Sequence, residues 1–103
     1  MALQKAANLA DLSADKIVGV DIAGTKVALY LIDGQAMATS DVCTHEQCPL
    51  SEEGEVAGDE VSCLCHGSKF NIRTGEVLNP PAAEPLPVYP VEVQGPDVLV
   101  DIG

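Results

Sequence analysis

The sequence is poor in aromatic residues and in positive charge. Two tyrosines, one phenylalanine and no tryptophan leave the core to be built from valine, leucine, isoleucine and alanine. Five Lys and Arg stand against 16 Asp and Glu, a formal net charge of −11. A chain of that sign repels phosphate backbones and anionic lipid surfaces, because binding either depends on Lys and Arg displacing counterions. Nucleic acid and membrane are therefore not expected as partners. No window reaches the roughly 20 apolar residues that span a bilayer, and the first residues lack the apolar stretch of a secretory leader. The cytoplasm is the expected location. A Gly-rich phosphate loop and a Gly-x-Ser-x-Gly nucleophile elbow are also missing. What remains, 103 residues with 47% apolar and 20% charged side chains, is the composition of one small globular domain.

Strand signals dominate, and the expected class is all-β. Lys16 to Ile22 alternates, with Val18, Val20 and Ile22 on one face, and Ala23-Gly24 offers a turn into the apolar, β-branched run Thr25 to Ile32. Asp33-Gly34 is a two-residue hairpin signal, from which Gln35 to Thr39 returns as a third strand. Near the other end, Val88, Val91 and Val93 precede a Gly95-Pro96-Asp97 turn, and Val98, Val100 and Ile102 alternate after it. Leu9 to Lys16 holds either one helical turn, with Ser13 as its cap, or a plain turn, and no helix of ordinary length is expected.

Between these β regions, from Asp41 to about Pro87, lie all the cysteines, both histidines and most of the prolines. Asn79-Pro80-Pro81 and Pro85-Leu86-Pro87 favour extended backbone and cannot donate sheet hydrogen bonds at the prolines, so this part reads as loop. The chemistry is concentrated in Cys43-Thr44-His45-Glu46-Gln47-Cys48 and Cys63-Leu64-Cys65-His66-Gly67-Ser68. Each histidine stands within three residues of a cysteine, and mixed thiolate and imidazole donors point to a metal. Zinc accepts a Cys2His2 set, and a zinc-stabilised binding module is one reading. Zinc sites, however, usually set a Cys-x2-4-Cys pair against a His-x3-5-His pair, whereas each loop here mixes the two donors. A thiol redox pair at Cys63 and Cys65 has one intervening residue where such catalysts need two and a helix N-terminus.

The pattern Cys43-x-His45, seventeen residues, Cys63-x-x-His66 resembles that of the Rieske iron-sulfur proteins. In these, two Cys hold one iron of a 2Fe-2S cluster and two His the other. The resemblance implies an all-β Rieske fold of antiparallel sheets, with a base from residues 1–41 and 85–103 and an inserted cluster-binding subdomain, 42–84. It makes Cys43, His45, Cys63 and His66 the iron ligands. It also aligns Cys48 and Cys65 with the disulfide that ties the two cluster loops in respiratory and photosynthetic Rieske proteins. Gly67 gives the close backbone approach a cluster requires, and Pro80-Pro81 resembles the proline-rich third loop that covers it. Ser68 matches a serine whose hydroxyl contacts a bridging sulfide in high-potential members, which raises the potential. Phe70 stands where those members carry a tyrosine that reaches a ligand sulfur, which lowers it. An intermediate potential is expected.

With both histidines committed to the cluster, none is left for the two-His, one-carboxylate iron of a catalytic oxygenase subunit. The resemblance therefore implies an electron carrier rather than an enzyme. The expected role is a soluble Rieske ferredoxin, a monomer or weak dimer, passing single electrons from an NAD(P)H-dependent flavoprotein reductase to a terminal Rieske oxygenase of aromatic catabolism. The small subunit of an assimilatory nitrite reductase resembles it in size and fold and is the alternative within electron transfer. Residues 27–68 hold eight carboxylates (Asp33, Asp41, Glu46, Glu52, Glu53, Glu55, Asp59, Glu60) and no Lys or Arg, so partners of opposite charge are expected.

Overall fold

The computed structural model describes residues 3–13, 16–42, 49–63, 68–79 and 85–102, with the side chain of Glu53 left out. Eleven strands are seen among them: β1 (Leu3–Asn8), β2 (Val18–Ile22), β3 (Thr25–Ile32), β4 (Gln35–Ser40), β5 (Gly54–Ala57), β6 (Glu60–Cys63), β7 (Lys69–Asn71), β8 (Val77–Asn79), β9 (Val88–Tyr89), β10 (Val91–Gln94) and β11 (Asp97–Asp101). They pair antiparallel into three sheets, ordered β1-β11-β10, β2-β3-β4-β9 and β5-β6-β7-β8. One four-residue helix, α1 (Leu50–Glu53), and a single 3-10 turn at Leu9–Asp11 complete the described elements.

β3 is the middle of the molecule, and from Val27 to Ile32 it carries no charged residue. Side chains alternate across a sheet, so a strand buried on both faces needs apolar residues at every position. Val27 and Leu29 point into one core, shared with Ile22, Ala38, Val98, Val100 and Leu12. Ala28, Tyr30 and Ile32 point into the other, shared with Leu50, Val61, Cys63, Phe70, Ile72 and Leu86. The β2-β3-β4-β9 sheet is thus packed on one side by β11 and on the other by β6 and β7.

The two hairpins around β3 turn as the sequence predicts. Asp33 and Gly34 have φ of 52° and 78°, and Ala23 and Gly24 have 51° and 88°. Both are the left-handed pairs of a type I′ turn. The Gly24 N–H donates to the Asp21 carboxylate at 2.8 Å. The closing hairpin β10–β11 also stands, with Gly95 at φ 62° ahead of Pro96.

Three differences from the sequence reading have physical reasons. Strand β1 was not expected, because Leu-Gln-Lys-Ala-Ala-Asn has little intrinsic β preference; β11 recruits it by main-chain pairing, with an irregularity between Lys5 and Ala7. The stretch Leu9–Lys16, read as one helical turn capped by Ser13 or a plain turn, opens with a 3-10 turn that starts after Asn8, whose N–H donates to Asp11 Oδ2 at 3.3 Å, while Ala14 and Asp15, which Ser13 would cap, lie outside the described residues. And the segment read as loop contains the whole β5-β6-β7-β8 sheet, built from residues 54–79. Its strands are three or four residues long, too short for an alternation to stand out. Among the described residues no helix is long and apolar enough to cross a membrane.

Candidate metal centre

All three stems that lead into the candidate site are tied by backbone hydrogen bonds. After β4 the chain makes an antiparallel bridge from Val42 to Pro49, and the Leu50 N–H donates to the Asp41 carbonyl at 2.6 Å. Ser40 braces the same stem, its hydroxyl donating to the Val42 carbonyl at 3.3 Å and accepting from the Val42 N–H at 3.2 Å. These contacts clamp the ends of segment 43–48. At the end of β6 the Cys63 N–H donates to the Ser68 carbonyl at 2.7 Å, which clamps segment 64–67 in the same way.

The third stem is built on a glycine. The Gly75 N–H donates to the Asn71 carbonyl and the Gly75 carbonyl accepts from the Leu86 N–H, each at 2.7 Å. Gly75 has φ of 79°, and a Cβ there would run into the Leu86 carbonyl, so only glycine fits. Asn71 shapes the turn through its side-chain oxygen, which accepts from the Arg73 and Thr74 N–H groups at 2.8 and 3.2 Å. Beyond it, the Ser40 N–H donates to the Pro87 carbonyl at 2.8 Å; Pro85-Leu86-Pro87 thus accepts one hydrogen bond at Pro87, donates one from Leu86 and buries the Leu86 side chain, so it is an anchor rather than a free loop.

One side chain from each stem enters the same core: Leu50 from the first, Cys63 from the second and Leu86 from the third, all beside Phe70 and Tyr30. That shared core is what brings the Cys43–Cys48 stem to the Cys63–Ser68 stem. Tyr30 is fully buried, and its phenol lies 2.7 Å from Thr39 Oγ1. Burial pushes the Tyr30 hydroxyl well above the usual phenol range, and the Asp41 charge adds to it.

Of the residues singled out in the sequence, Cys63, Ser68 and Phe70 are described, and all three are buried. Cys43, His45, Cys48, Cys65, His66, Gly67 and Pro81 lie outside the described residues. Sequence reasoning missed Gly75, Asn71, Asp41 and Ser51 as builders of the stems. A glycine five residues ahead of Pro80-Pro81 was the one available signal for them. The acidic run is only partly a free surface. Asp33 and Asp59 lie 3.0 and 3.6 Å from Arg73, Glu60 lies 3.8 Å from Lys69, and Asp41 is buried against Ser51. Glu52 and Glu55 are exposed and enter no ion pair among the described residues.

The sequence model of the Rieske [2Fe-2S] domain family matches residues 2–90. The chain belongs to the Rieske family. Among curated proteins, this Rieske chain is 44% identical over 101 residues to the biphenyl dioxygenase ferredoxin subunit of Pseudomonas sp. strain KKS102, covering 98% of this chain and 93% of that one. Among solved structures it superposes on the Sphingomonas yanoikuyae B1 ferredoxin with a TM-score of 0.92 at 27% identity, over 99% of this chain and all of that one. It also matches a chain of the complex of reduced oxygenase and oxidized ferredoxin in carbazole 1,9a-dioxygenase. There the TM-score is 0.87 at 35% identity, over 95% of this chain and all of that one.

The cofactor of the Rieske family is a 2Fe-2S cluster, and the residues present fit it. Cys63 ends its strand with its side chain in an apolar core, where a neutral thiol is tolerated and a metal-bound thiolate is shielded from water. Ser68, whose carbonyl accepts from the Cys63 N–H, is buried as well. Phe70 faces Val61 across β6–β7 and fills this core without a polar atom.

Proposed function

We propose that this chain is a soluble Rieske ferredoxin, a carrier of single electrons from an NAD(P)H-dependent flavoprotein reductase to a terminal oxygenase that hydroxylates an aromatic ring. The observation that carries the reading is the likeness to a dioxygenase ferredoxin subunit along nearly the whole length of both chains. In this reading Cys43 and Cys63 supply thiolates to one iron, and His45 and His66 supply imidazoles to the other. Cys48 and Cys65 form a bridge between the two ligand loops, while Gly67 and Pro81 line the cluster. When bound, the cluster takes up and gives back one electron, at roughly −150 to +300 mV against about −400 mV for all-Cys plant-type clusters, because two neutral imidazoles replace two charged thiolates.

The protein's own contribution is to hold the ligands rigid and to meet its partners briefly. The stems at Val42–Pro49, Cys63–Ser68 and Gly75–Leu86 support the first task. For the second, Glu52 and Glu55 beside the first stem offer negative charge to a basic docking face, which speeds encounter without making the complex long-lived. Residues 1–41 and 85–103 serve as the base and 42–84 as the cluster-binding subdomain of one unit. The protein acts in the cytoplasm, as a monomer or weak dimer.

An EPR-monitored redox titration of the purified protein tests this reading. A Rieske spectrum with a midpoint of roughly −150 mV to zero is the expected result, within reach of a flavoprotein fed by NAD(P)H. A midpoint of about +100 mV or above would point to a higher-potential donor and overturn the oxygenase assignment.

A further inference from the structure

The stem of the first ligand segment is held by a side chain as well as by backbone. Asp41, 6% exposed, uses all of its polar groups. Its carboxylate accepts from the Ser51 N–H at 2.6 Å and from the Ser51 hydroxyl at 2.8 Å. Its carbonyl accepts from the Leu50 N–H at 2.6 Å, and its own N–H donates to the Lys26 carbonyl on β3 at 3.0 Å. A buried carboxylate is costly unless it is bonded, and charge-assisted bonds are about twice as strong as neutral ones. This one is therefore a firm tie between the end of β4 and the start of α1, the two points where segment 43–48 leaves and returns.

A third strand closes the arrangement. A Cβ on Gly19 of β2 would lie 2.7 Å from Ser51 Cβ and 3.1 Å from Asp41 Oδ2, and closer still to the Ser51 hydroxyl. Gly19 is what lets β2 press against the pair. Leu50, next to Ser51, is fully buried in the core that also holds Cys63. The tie thus fixes the first stem relative to the strand that carries the Cys63 ligand position.

We infer that Asp41, with Ser51 and Gly19, is a positioning residue for the cluster: it sets the placement of the segment bearing Cys43 and His45 against Cys63, and so governs how firmly iron is held. The inference rests on the ligand assignment proposed above. Groups that orient metal ligands from outside are worth about 10- to 100-fold in metal retention.

The test uses the purified holoprotein and the variants Ser51→Ala, Gly19→Ala, Asp41→Ala and Asp41→Asn, with Val98→Ala in the other core as control. Three readouts are taken: iron release to a chelator at a temperature where every variant stays folded, the EPR spectrum of the reduced protein, and the thermal midpoint. Ser51→Ala and Gly19→Ala are expected to release iron about 10-fold faster and to shift or broaden the EPR lines, with Asp41→Ala more affected. Asp41→Asn falls between, since its amide oxygen still accepts from the Ser51 N–H and its amide nitrogen donates to the Ser51 hydroxyl. Val98→Ala lowers the midpoint and leaves release and spectrum alone. A variant that folds but holds no iron also supports the inference. Wild-type release with unchanged spectra in Ser51→Ala and Gly19→Ala overturns it, as does equal release from the control. A wild-type protein without a Rieske spectrum would overturn the ligand assignment itself, and the positioning role with it.

Discussion

Tyr30 donates a hydrogen bond to Thr39 across β3 and β4, and the direction is fixed by the next link. The Thr39 hydroxyl gives its own proton to the Ser40 carbonyl at 2.9 Å, so the contact of 2.7 Å between the two side chains must use the phenol proton. Both residues are fully buried. The order of donors makes the pair asymmetric to mutation. Tyr30→Phe removes a donor and leaves Thr39 bonded, costing about 1 kcal/mol. Thr39→Val strands the phenol without an acceptor in an apolar core and should cost more, about 2–3 kcal/mol. Urea unfolding of the two variants checks the ranking; equal losses would mean that the chain of donors is wrong.

The same phenol predicts alkaline behaviour. Its hydroxyl is raised in the folded state above the ordinary value of 10.0, chiefly by burial. The unfolded chain therefore loses the proton first as pH rises, and the native state holds more protons than the unfolded one above that value. Stability is fully present below about pH 10 and falls above it, by about 1.4 kcal/mol per pH unit from this group. Tyr30→Phe should remove that component, so the wild-type and variant stability curves should converge as the pH climbs past 10. Parallel curves would contradict it.

Ala23 marks a correctable strain. It sits at φ 51° in a two-residue turn, where a Cβ is disfavoured and Asn is the usual occupant. Ala23→Asn is expected to stabilise the protein by about 0.5–1 kcal/mol, seen as a higher urea midpoint with an unchanged cluster spectrum. Gly75→Ala works in the other direction. Its φ of 79° and the collision with the Leu86 carbonyl predict a loss of about 2 kcal/mol or more, and looser protection of the Leu86 amide in hydrogen exchange.

The hairpins β2–β3 and β3–β4 were legible because their signals are local. Asp33-Gly34 names its own turn, and the run Val27 to Ile32 is apolar at every position because two cores claim alternate residues. The family and its cofactor were legible as chemistry, through the Cys and His spacing and its likeness to the Rieske pattern. The supports of the candidate site were not. Asp41 and Ser51 are an ordinary acid and an ordinary serine until β2, β4 and α1 bring them together with Gly19. Arg73 likewise reads as one isolated cation, yet it joins the β3–β4 turn at Asp33 to the β5–β6 turn at Asp59. Contacts forty and fourteen residues apart leave no periodicity to read. That exposed clip should contribute only about 0.5–1 kcal/mol, and Arg73→Ala should lose most of its effect at high salt.

Ser68 and Phe70 give the last prediction, because they act on the potential in opposite senses. The reduced cluster is the more negative state, so a hydrogen bond to its sulfurs stabilises reduction more than oxidation. Ser68 is buried and held to the Cys63 main chain, the place from which its hydroxyl serves that purpose in the proposed reading. Ser68→Ala should therefore lower the midpoint. Phe70 fills the core beside Cys63 without a donor, and Phe70→Tyr supplies one where high-potential Rieske proteins have it, so the midpoint should rise. A bond about 1.4 kcal/mol stronger in the reduced state is worth about 59 mV for one electron, well within the resolution of a redox titration. If neither substitution moves the midpoint, the potential is set by the ligands and their solvent exposure alone. If Phe70→Tyr lowers it, the added hydroxyl has opened the core to water instead of reaching a sulfur.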